Sequence, residues 1–480
     1  MEWETVIGLE VHVELSTKTK IFCGCSTEFG GAPNTHCCPI CTGMPGTLPV
    51  LNRQVTEYAL KAGLALGCEI TKTNKFDRKN YFYPDLPKAY QISQLYLPFA
   101  RNGFVLFKTK EGIEKRVGIH EIHMEEDAGK LIHSESGNET YTDYNRCGIP
   151  LLEIVSEPDM RSFEEVTAYL ETLRSIFLYL GISDCKMQEG SMRADVNLSV
   201  RPKGETTLGT RTEMKNLNSF KAIERSIKYE SARQIAILEE GGNVFQETRR
   251  WDDTKNISVA MRSKEDAEDY RYYPEPDIPP IIFSEEQINA IFDSLPEFAA
   301  KKVDRYCETF NLNRADAEIL AQSKYLASLF EDTVALFNDP KEICNWMLGQ
   351  LMFLLNENGK QPEDITISPQ KFSEFLKIAK SDIINRQTAK DIFAVLFNDN
   401  SLDIDRYIKK NSLEQIDDSK AVLEAVQTVI AHNPKTVEQF KNGQTKVVGF
   451  FVGQVMKQLR GKAKPETVNK IVNQELSKLL

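Results

Sequence analysis

An α+β fold is predicted for this chain, with strands gathered before about residue 293 and helices alone beyond it. Three observations carry that expectation. Five early segments alternate apolar and ionisable residues with the period of two that a strand imposes. The stretch Tyr270-Arg271-Tyr272-Tyr273-Pro274-Glu275-Pro276-Asp277-Ile278-Pro279-Pro280 then forms a rigid exit that cannot be helix. After Leu295, segments 315–330, 341–355 and 369–380 space their apolar residues by three and four, as helices do.

At 480 residues the chain exceeds one ordinary core. A polar stretch at 411–419 separates the last helices from the rest, so the expected domains are 1–293, 294–411 and 412–480. No internal repeat or low-complexity tract interrupts them. Hydrophobic residues make up 41% and charged residues 27%, the balance of a folded globular protein. No apolar run is long enough to span a membrane. The acidic start Met1-Glu2-Trp3-Glu4-Thr5-Val6 resembles neither a signal nor a transit peptide, and a cytoplasmic location is expected.

The first strand sorts its residues cleanly. Ile7, Leu9, Val11, Val13 and Leu15 share one face, while Glu10, His12 and Glu14 share the other. Taken alone, the second face is explained by contact with water. Next come Cys23, Cys25, Cys37, Cys38 and Cys41, crowded into one short segment while the other five cysteines are scattered. Without a secretion signal such a cluster reads as metal ligands rather than disulfides. The spacing of Cys23, Cys25, Cys38 and Cys41 suits tetrahedral zinc, with Pro39 and Gly43 supplying turns. Cys37 competes with Cys38 for the third position, and Cys38 is favoured because Cys38-Pro39-Ile40-Cys41 gives the two-residue spacing.

Four later segments repeat the pattern of the first strand. Alternation groups Glu121, His123 and Glu125, and it aligns Glu153 with Glu157. Between 192 and 200 it sets Met192, Ala194, Val196, Leu198 and Val200 opposite Arg193, Asp195, Asn197 and Ser199. Between 210 and 215 it groups Arg211, Glu213 and Lys215. Joined in one sheet, these strands present a surface dense in charge of both signs. Two carboxylates about 4 Å apart repel by ~4 kcal/mol at an effective dielectric near 20, and a divalent cation relieves that. Oxygen ligands with one or two imidazoles suit Mg²⁺ or Mn²⁺. Interleaved Arg193, Arg211 and Lys215 are candidates for nucleotide phosphates, or they balance the acids as salt bridges. No P-loop occurs, so a nucleotide site must be borne on the sheet.

The tail differs in charge from the body. Residues 435–480 hold nine Lys or Arg against three Glu, a net +6, which leaves −17 for the rest of a chain whose net charge is −11. That fits an RNA-contacting appendage or a solvated helical face equally well. Its apolar segment 447–457 carries Gly449 and Gly453, which are expected to permit close packing.

Longer stretches identify a resemblance. They are Val6-Ile7-Gly8-Leu9-Glu10-Val11-His12-Val13-Glu14-Leu15 and Phe76-Asp77-Arg78-Lys79-Asn80-Tyr81-Phe82-Tyr83-Pro84-Asp85. His123-Met124-Glu125-Glu126-Asp127-Ala128-Gly129-Lys130 and Glu153-Ile154-Val155-Ser156-Glu157-Pro158-Asp159 belong with them, as do Lys215-Asn216-Leu217-Asn218-Ser219-Phe220, Gln246-Glu247-Thr248-Arg249-Arg250 and Tyr270-Arg271-Tyr272. Over essentially its whole length the chain resembles the B subunits of aspartyl/glutamyl-tRNA amidotransferases.

That resemblance implies a glutamine synthetase-like cradle, a helical domain and a small helical tail that contacts tRNA. It implies ATP- and Mg²⁺-dependent phosphorylation of the side-chain carboxylate of mischarged Glu-tRNA(Gln) or Asp-tRNA(Asn), followed by amidation. Ammonia would arrive through a channel from an amidase (glutaminase), the A subunit, while a small C subunit would clasp both in a heterotrimer. By position, Glu10, His12, Glu125 and Glu153 resemble the metal and acyl-phosphate shell, with Glu126, Asp195 and Glu213 as further members. Lys79 and Lys88 resemble residues near the channel mouth or the phosphates. Some relatives carry the cysteine quartet and others do not, so zinc is expected as a structural ion. Neither an amidase Ser–Ser–Lys signature nor a Cys/His glutaminase pattern is present, which leaves ammonia to a partner. Two rival readings are a ligase acting on a free amino acid and a non-catalytic tRNA-binding scaffold.

Overall fold

A computed structural model of the chain describes residues 2–479, apart from 110, 135–136, 264–269, 382, 416–418, 443, 445–446 and 460–462. Part of the polar stretch at 411–419 therefore lies outside the described residues. The chain divides into two compact units, Met1–Phe298 and Ala299–Leu480.

In the first unit the elements run β1 (Trp3–Glu14), α1 (Arg53–Ala65), β2 (Glu69–Ile70), β3 (Thr73–Asn74), β4 (Asp77–Asn80), β5 (Tyr90–Ser93), β6 (Ala100–Lys108) and β7 (Glu114–Glu126). They continue through β8 (Lys130–His133), β9 (Thr140–Asp143), β10 (Pro150–Ser156), α2 (Phe163–Leu180), β11 (Met192–Pro202), β12 (Thr212–Lys215) and α3 (Phe220–Glu239). Last come β13 (Glu247–Asp252), β14 (Ile257–Ser263), β15 (Tyr273–Pro274), β16 (Ile281–Ile282) and α4 (Glu285–Asp293). Nine strands form one sheet in the order β14-β13-β12-β11-β1-β10-β7-β6-β2. Every pairing in it is antiparallel except β12 with β13.

The sheet is mixed in chemistry because its strands are. Ile7, Leu9, Val11, Val13 and Leu15 of β1 and its exit are buried, as are Met192, Ala194, Val196, Leu198 and Val200 of β11. Leu60 of α1, Leu173 and Phe177 of α2, and Ile223 and Ile227 of α3 join them in one core, so these helices cover the apolar face. Burying each such side chain contributes about 1.5–3 kcal/mol, and an acid placed at Leu9 would disrupt the packing. None of the three helices was singled out in the sequence. Their end signals are nonetheless plain: Ser162 and Ser219 cap α2 and α3 by accepting the backbone N–H groups of Glu165 and Ala222. Gly181 ends α2 at φ 67°, a left-handed conformation that favours glycine. The exit at 270–280 holds no helix, and its β15 pairs with β4.

The second unit is helical: α5 (Ala299–Phe310), α6 (Arg314–Gln322), α7 (Lys324–Leu336), α8 (Pro340–Trp346), α9 (Met352–Glu357), α10 (Pro369–Lys380), α11 (Arg386–Asn398), α12 (Ile404–Lys410), α13 (Ser419–His432), α14 (Pro434–Lys441), α15 (Val448–Gln458) and α16 (Pro465–Ser477). Segment 315–330 is broken at Ser323, whose hydroxyl caps α7. A π-helical turn, Met347–Leu351, interrupts 341–355. Two apolar cores form here. Tyr306, Phe330, Trp346, Phe375 and Phe393 belong to one, and Val422, Phe451, Val455, Val468 and Leu476 to the other. The expected role of Gly449 and Gly453 in close packing is corrected. A Cβ at either would meet nothing within 4 Å, because Phe451 and Val455 take the inward face of α15. Among the described residues no helix is long and apolar enough to cross a membrane.

Candidate active site

Register brings the ionisable residues together on the face opposite the core. His12 stands across from Glu153 on β10 and Arg193 on β11, and Glu153 stands across from His123 on β7. One position along, Glu10 faces Asp195, and Asn197 faces Glu213 of β12. His12, Glu125 and Glu153 bring ligand atoms within 4.8 Å of one another, and so do Glu10, Asp195 and Glu213. The expected shell of Glu10, His12, Glu125 and Glu153 is thus two adjoining clusters.

Two further expectations change. Glu126 points to the other side of β7 from Glu125, where Lys88 and the Ile92 amide hold its carboxylate. Glu157 does not join Glu153, because an irregularity at Val155/Ser156 breaks the alternation and Glu157 meets His120 at 3.0 Å.

Burial shapes the first cluster. His12 Nε2 lies 3.4 Å from Glu125 Oε1 and 3.9 Å from Glu153 Oε1. Burial opposes its charge, but the hydrogen bond to Glu125 and the charges of Glu153 and Glu125 prevail and raise its pKa to about 9. Glu125 is also buried, yet His12, Lys79 and His123 hold its carboxyl below the usual range. Ser93 Oγ donates to it at 3.2 Å. Glu153 goes the other way, pushed up by burial and by the neighbouring charge of Glu125. His123 Nε2 lies 3.0 Å from Glu121 Oε1, a charge contact without hydrogen-bond geometry. At the end of the row burial and Asp127 push Glu14 up to about 8.

In the second cluster Asn197 Nδ2 donates to Glu10 Oε1 at 2.9 Å, while its Oδ1 is shut off from solvent without a hydrogen-bond partner among the described residues. An orphaned carbonyl oxygen beside three carboxylates is a donor set that fits a hard divalent cation. Imidazole with two carboxylates suits Mg²⁺ or Mn²⁺ equally in the first.

The candidate cations are mostly engaged. Lys215 Nζ lies 2.8 Å from Asp195 and 2.7 Å from Glu213, and Arg193 bonds Asp127 at 2.8 Å. Lys88 is buried against Glu126 and lines a cavity of about 180 Å³ with Lys20, Cys23 and Cys41. Lys79 Nζ stands 4.8 Å from the centre of the Tyr270 ring and 5.8 Å from that of Tyr81. Tyr272 packs on Tyr270, and its phenol is pushed up by burial and by Glu153 and Glu125. Arg211 is exposed just before β12, close enough to help depress Glu213. Sequence reading missed Arg250, which pairs in register with Lys215 and is exposed. Alternation along β13 was the available signal, since Trp251 and Arg249 turn to the helices and Arg250 does not.

Cys23, Cys25, Cys38 and Cys41 gather their sulfurs within 4.8 Å. Cys37 turns aside, its Sγ 3.2 Å from the Asn34 carbonyl. The Cys41 thiol is drawn down to about 5 by a hydrogen bond from Cys23, with the Cys38 amide and the Lys20 charge assisting against burial. Four converging sulfurs, one already favouring thiolate, fit tetrahedral zinc.

The class of protein defined here is an α+β one whose mixed sheet collects candidate metal-ligand clusters on one open face and is followed by helices. Residues 5–289 match the GatB/GatE catalytic domain, and residues 328–476 match the GatB domain. The B subunit of the aspartyl/glutamyl-tRNA(Asn/Gln) amidotransferase of Lachnoclostridium phytofermentans is 56% identical over 476 residues, 99% of each chain. Its counterparts in Caldicellulosiruptor bescii and Carboxydothermus hydrogenoformans are 53% and 50% identical over 482 and 483 residues, all of each chain. The chain belongs to this family, the B subunits of tRNA-dependent amidotransferases.

Proposed function

We propose that the open sheet face phosphorylates the side-chain carboxylate of Glu-tRNA(Gln) or Asp-tRNA(Asn) with ATP, so that ammonia can convert it to the amide. A carboxylate oxygen takes the γ-phosphoryl group and ADP leaves; the ammonia nitrogen then bonds the acyl carbon and phosphate leaves. The observation that carries this is the pair of adjoining clusters, His12–Glu125–Glu153 and Glu10–Asp195–Glu213, on one face of a sheet in a chain of this family. Phosphoryl transfer depends mainly on positioning and charge neutralisation, which is what such a face offers.

His12, Glu125 and Glu153 would hold one Mg²⁺, and Glu10, Asp195 and Glu213 a second. Bound there, Mg²⁺ supplies neutralisation of the transferred phosphoryl group. The protein keeps these groups in place. Ser93 fixes Glu125, Glu121 attracts His123 by charge, and Asp127 fixes Arg193. Lys79, held over tyrosines beside Glu125, is a cation for the developing acyl phosphate. Arg193, Arg211 and Lys215 are nucleotide candidates, and Lys215 must leave its carboxylates to serve as one.

The wider assembly follows the same reading. The sheet with its three covering helices serves as a glutamine synthetase-like cradle over 1–293, with a helical linker at 294–411 and a basic tRNA-binding tail at 412–480. Relatives named as B subunits suggest a heterotrimer completed by an amidase, the A subunit, together with a small C subunit. The cavity lined by Lys88 and Glu126 suits the passage of a small polar molecule such as ammonia. Zinc at Cys23, Cys25, Cys38 and Cys41 is structural, and the setting is cytoplasmic.

Co-expression with both partner subunits, followed by measurement of ATP hydrolysis, tests the proposal. Hydrolysis that requires Glu-tRNA or Asp-tRNA, and that is lost in Glu10→Ala and Glu125→Ala while tRNA still binds, is expected. Hydrolysis with free glutamate would point instead to an amino-acid ligase, and unchanged turnover in both variants to a scaffold.

A further inference from the structure

Two segments from distant parts of the first unit meet beside Glu125. Asn80, the last residue of β4, donates its backbone N–H to the Tyr270 carbonyl at 2.9 Å and its side-chain Nδ2 to the Arg271 carbonyl at 2.8 Å. Arg271 itself holds φ 42°, a left-handed conformation that residues with a side chain seldom adopt. Strain of this kind persists only where the surroundings impose it, and here Asn80 clamps the turn. Beyond it, the Tyr96 hydroxyl donates to the Tyr272 carbonyl at 3.4 Å. The backbone that carries Tyr270 and Tyr272 is therefore pinned at three carbonyls.

The rings form one block. Tyr270 stands edge-on to Tyr81, 5.9 Å between ring centres, and to Tyr272 at 6.1 Å, with Lys79 Nζ 4.8 Å from its own centre. Tyr81 and Tyr272 are both half-buried. Burial and the charge of Glu125 push both phenols above their ordinary range, and Glu153 adds to the effect at Tyr272. Both hydroxyls thus stand beside the cluster of His12, Glu125 and Glu153 and carry a proton to donate. Neither phenol oxygen has a hydrogen-bond partner among the described residues.

The two halves of the reaction place negative charge differently. Phosphoryl transfer loads the phosphoryl oxygens, which the carboxylate clusters, through their cations, and Lys79 serve. Amidation loads another atom. As the ammonia nitrogen bonds the acyl carbon, the carbonyl π pair moves onto the acyl oxygen. That pair returns as the bond to phosphate breaks, and a proton from nitrogen passes to the departing phosphate. The acyl oxygen gains its charge only in this second half, and hydrogen-bond donors already in place lower that barrier.

We propose that Tyr81 and Tyr272 form an oxyanion hole, their hydroxyls donating to the acyl oxygen as ammonia adds to the phosphorylated side chain. This rests on the ATP-dependent reading above and adds the groups that serve its second step. Tyr270 holds the two rings apart, and Lys79 stays with the phosphate.

The test separates the half-reactions in the assembled complex, given mischarged tRNA, ATP and ammonium chloride as the nitrogen source. Single-turnover measurement follows ADP release and amide formation together. Tyr81→Phe and Tyr272→Phe keep each ring and its packing and remove only the hydroxyl. Each should leave the first turnover of ADP unchanged and slow amide formation about a hundredfold, the loss typical of one oxyanion donor. KM for the tRNA should stay at the wild-type value. ADP and amide slowed in parallel, or a raised KM alone, would assign the tyrosines to substrate placement and overturn the inference. Amide formation at the wild-type rate in both variants overturns it too, and leaves the ATP-dependent reading intact. A wild-type complex that releases no ADP with either Glu-tRNA or Asp-tRNA would instead defeat that reading, and the oxyanion hole with it.

Discussion

Lys215 Nζ lies 2.8 Å from Asp195 Oδ2, so an ammonium group already occupies the carboxylates that a second divalent cation would use. Burial works against that charge, and Asp195 and Glu213 outweigh it to raise the lysine pKa. Lysine and metal are competitors for one site. Lys215→Met should therefore tighten Mn²⁺ binding roughly tenfold at the Glu10 cluster, because three carboxylates lose their internal counter-ion. Titration followed by electron paramagnetic resonance reads this, and an unaltered affinity would show that the lysine does not compete.

The cysteine cluster makes a sharper distinction. Cys38→Ser should lose bound zinc and Cys37→Ser should keep it, since only Cys38 converges with Cys23, Cys25 and Cys41. Metal content after gel filtration decides between them. Stripping zinc with a chelator should lower the melting temperature of wild type and Cys37→Ser, and leave Cys38→Ser where it was.

Acid stability depends on Glu230, buried in α3 between Arg233 and Arg249. Burial disfavours its charge, but hydrogen bonds from Arg233 and Gln234 and the arginine charges hold its pKa below the ordinary 4.5. A depressed folded pKa means that the stabilisation is present above the unfolded value and disappears as pH falls through the folded one. Glu230→Gln should cost about 2–3 kcal/mol at pH 7. The penalty should shrink as pH falls below 4.5. Urea melts across that range test it; a penalty constant with pH would remove the ion pair from the account.

Deleting the residues after Ser412 should weaken tRNA binding and flatten its salt dependence. The segment carries a net +3, with +6 gathered in residues 435–480, and has its own apolar core, so the cut removes a packed basic element. Each phosphate neutralised by the tail should account for about 0.9 of the log–log salt slope in duplex-like regions, and the deletion should remove that share. Affinity and slope both matching the full chain would leave the tail without a role in tRNA binding.

Alternation alone determined which side of β1 and β11 is buried, because side-chain direction follows from backbone geometry within a single strand. Ile7, Leu9, Val11 and Val13 are buried against the covering helices, and Met192 to Val200 follow suit at alternate positions. The helical character of the second unit was equally local, and so was the spacing of the cysteines. The partition of the ligands was not. Glu10 and His12 are neighbours in sequence, yet Glu10 associates with Asp195 and Glu213 while His12 associates with Glu125 and Glu153. That division depends on the register between strands far apart in the chain, which no short window contains.

Tertiary structure also decided which charges remain available. Lys88 and Arg193 look alike in sequence to Arg250, but Glu126 and Asp127 neutralise the first two and nothing described neutralises the third. The glycines of α15 face outward for the same reason: the helix turns its larger apolar residues to the core. Local chemistry thus set the faces and the kinds of ligand. Long-range pairing set the partners, because ion pairs and metal sites form between groups that only the folded chain brings within a few ångströms.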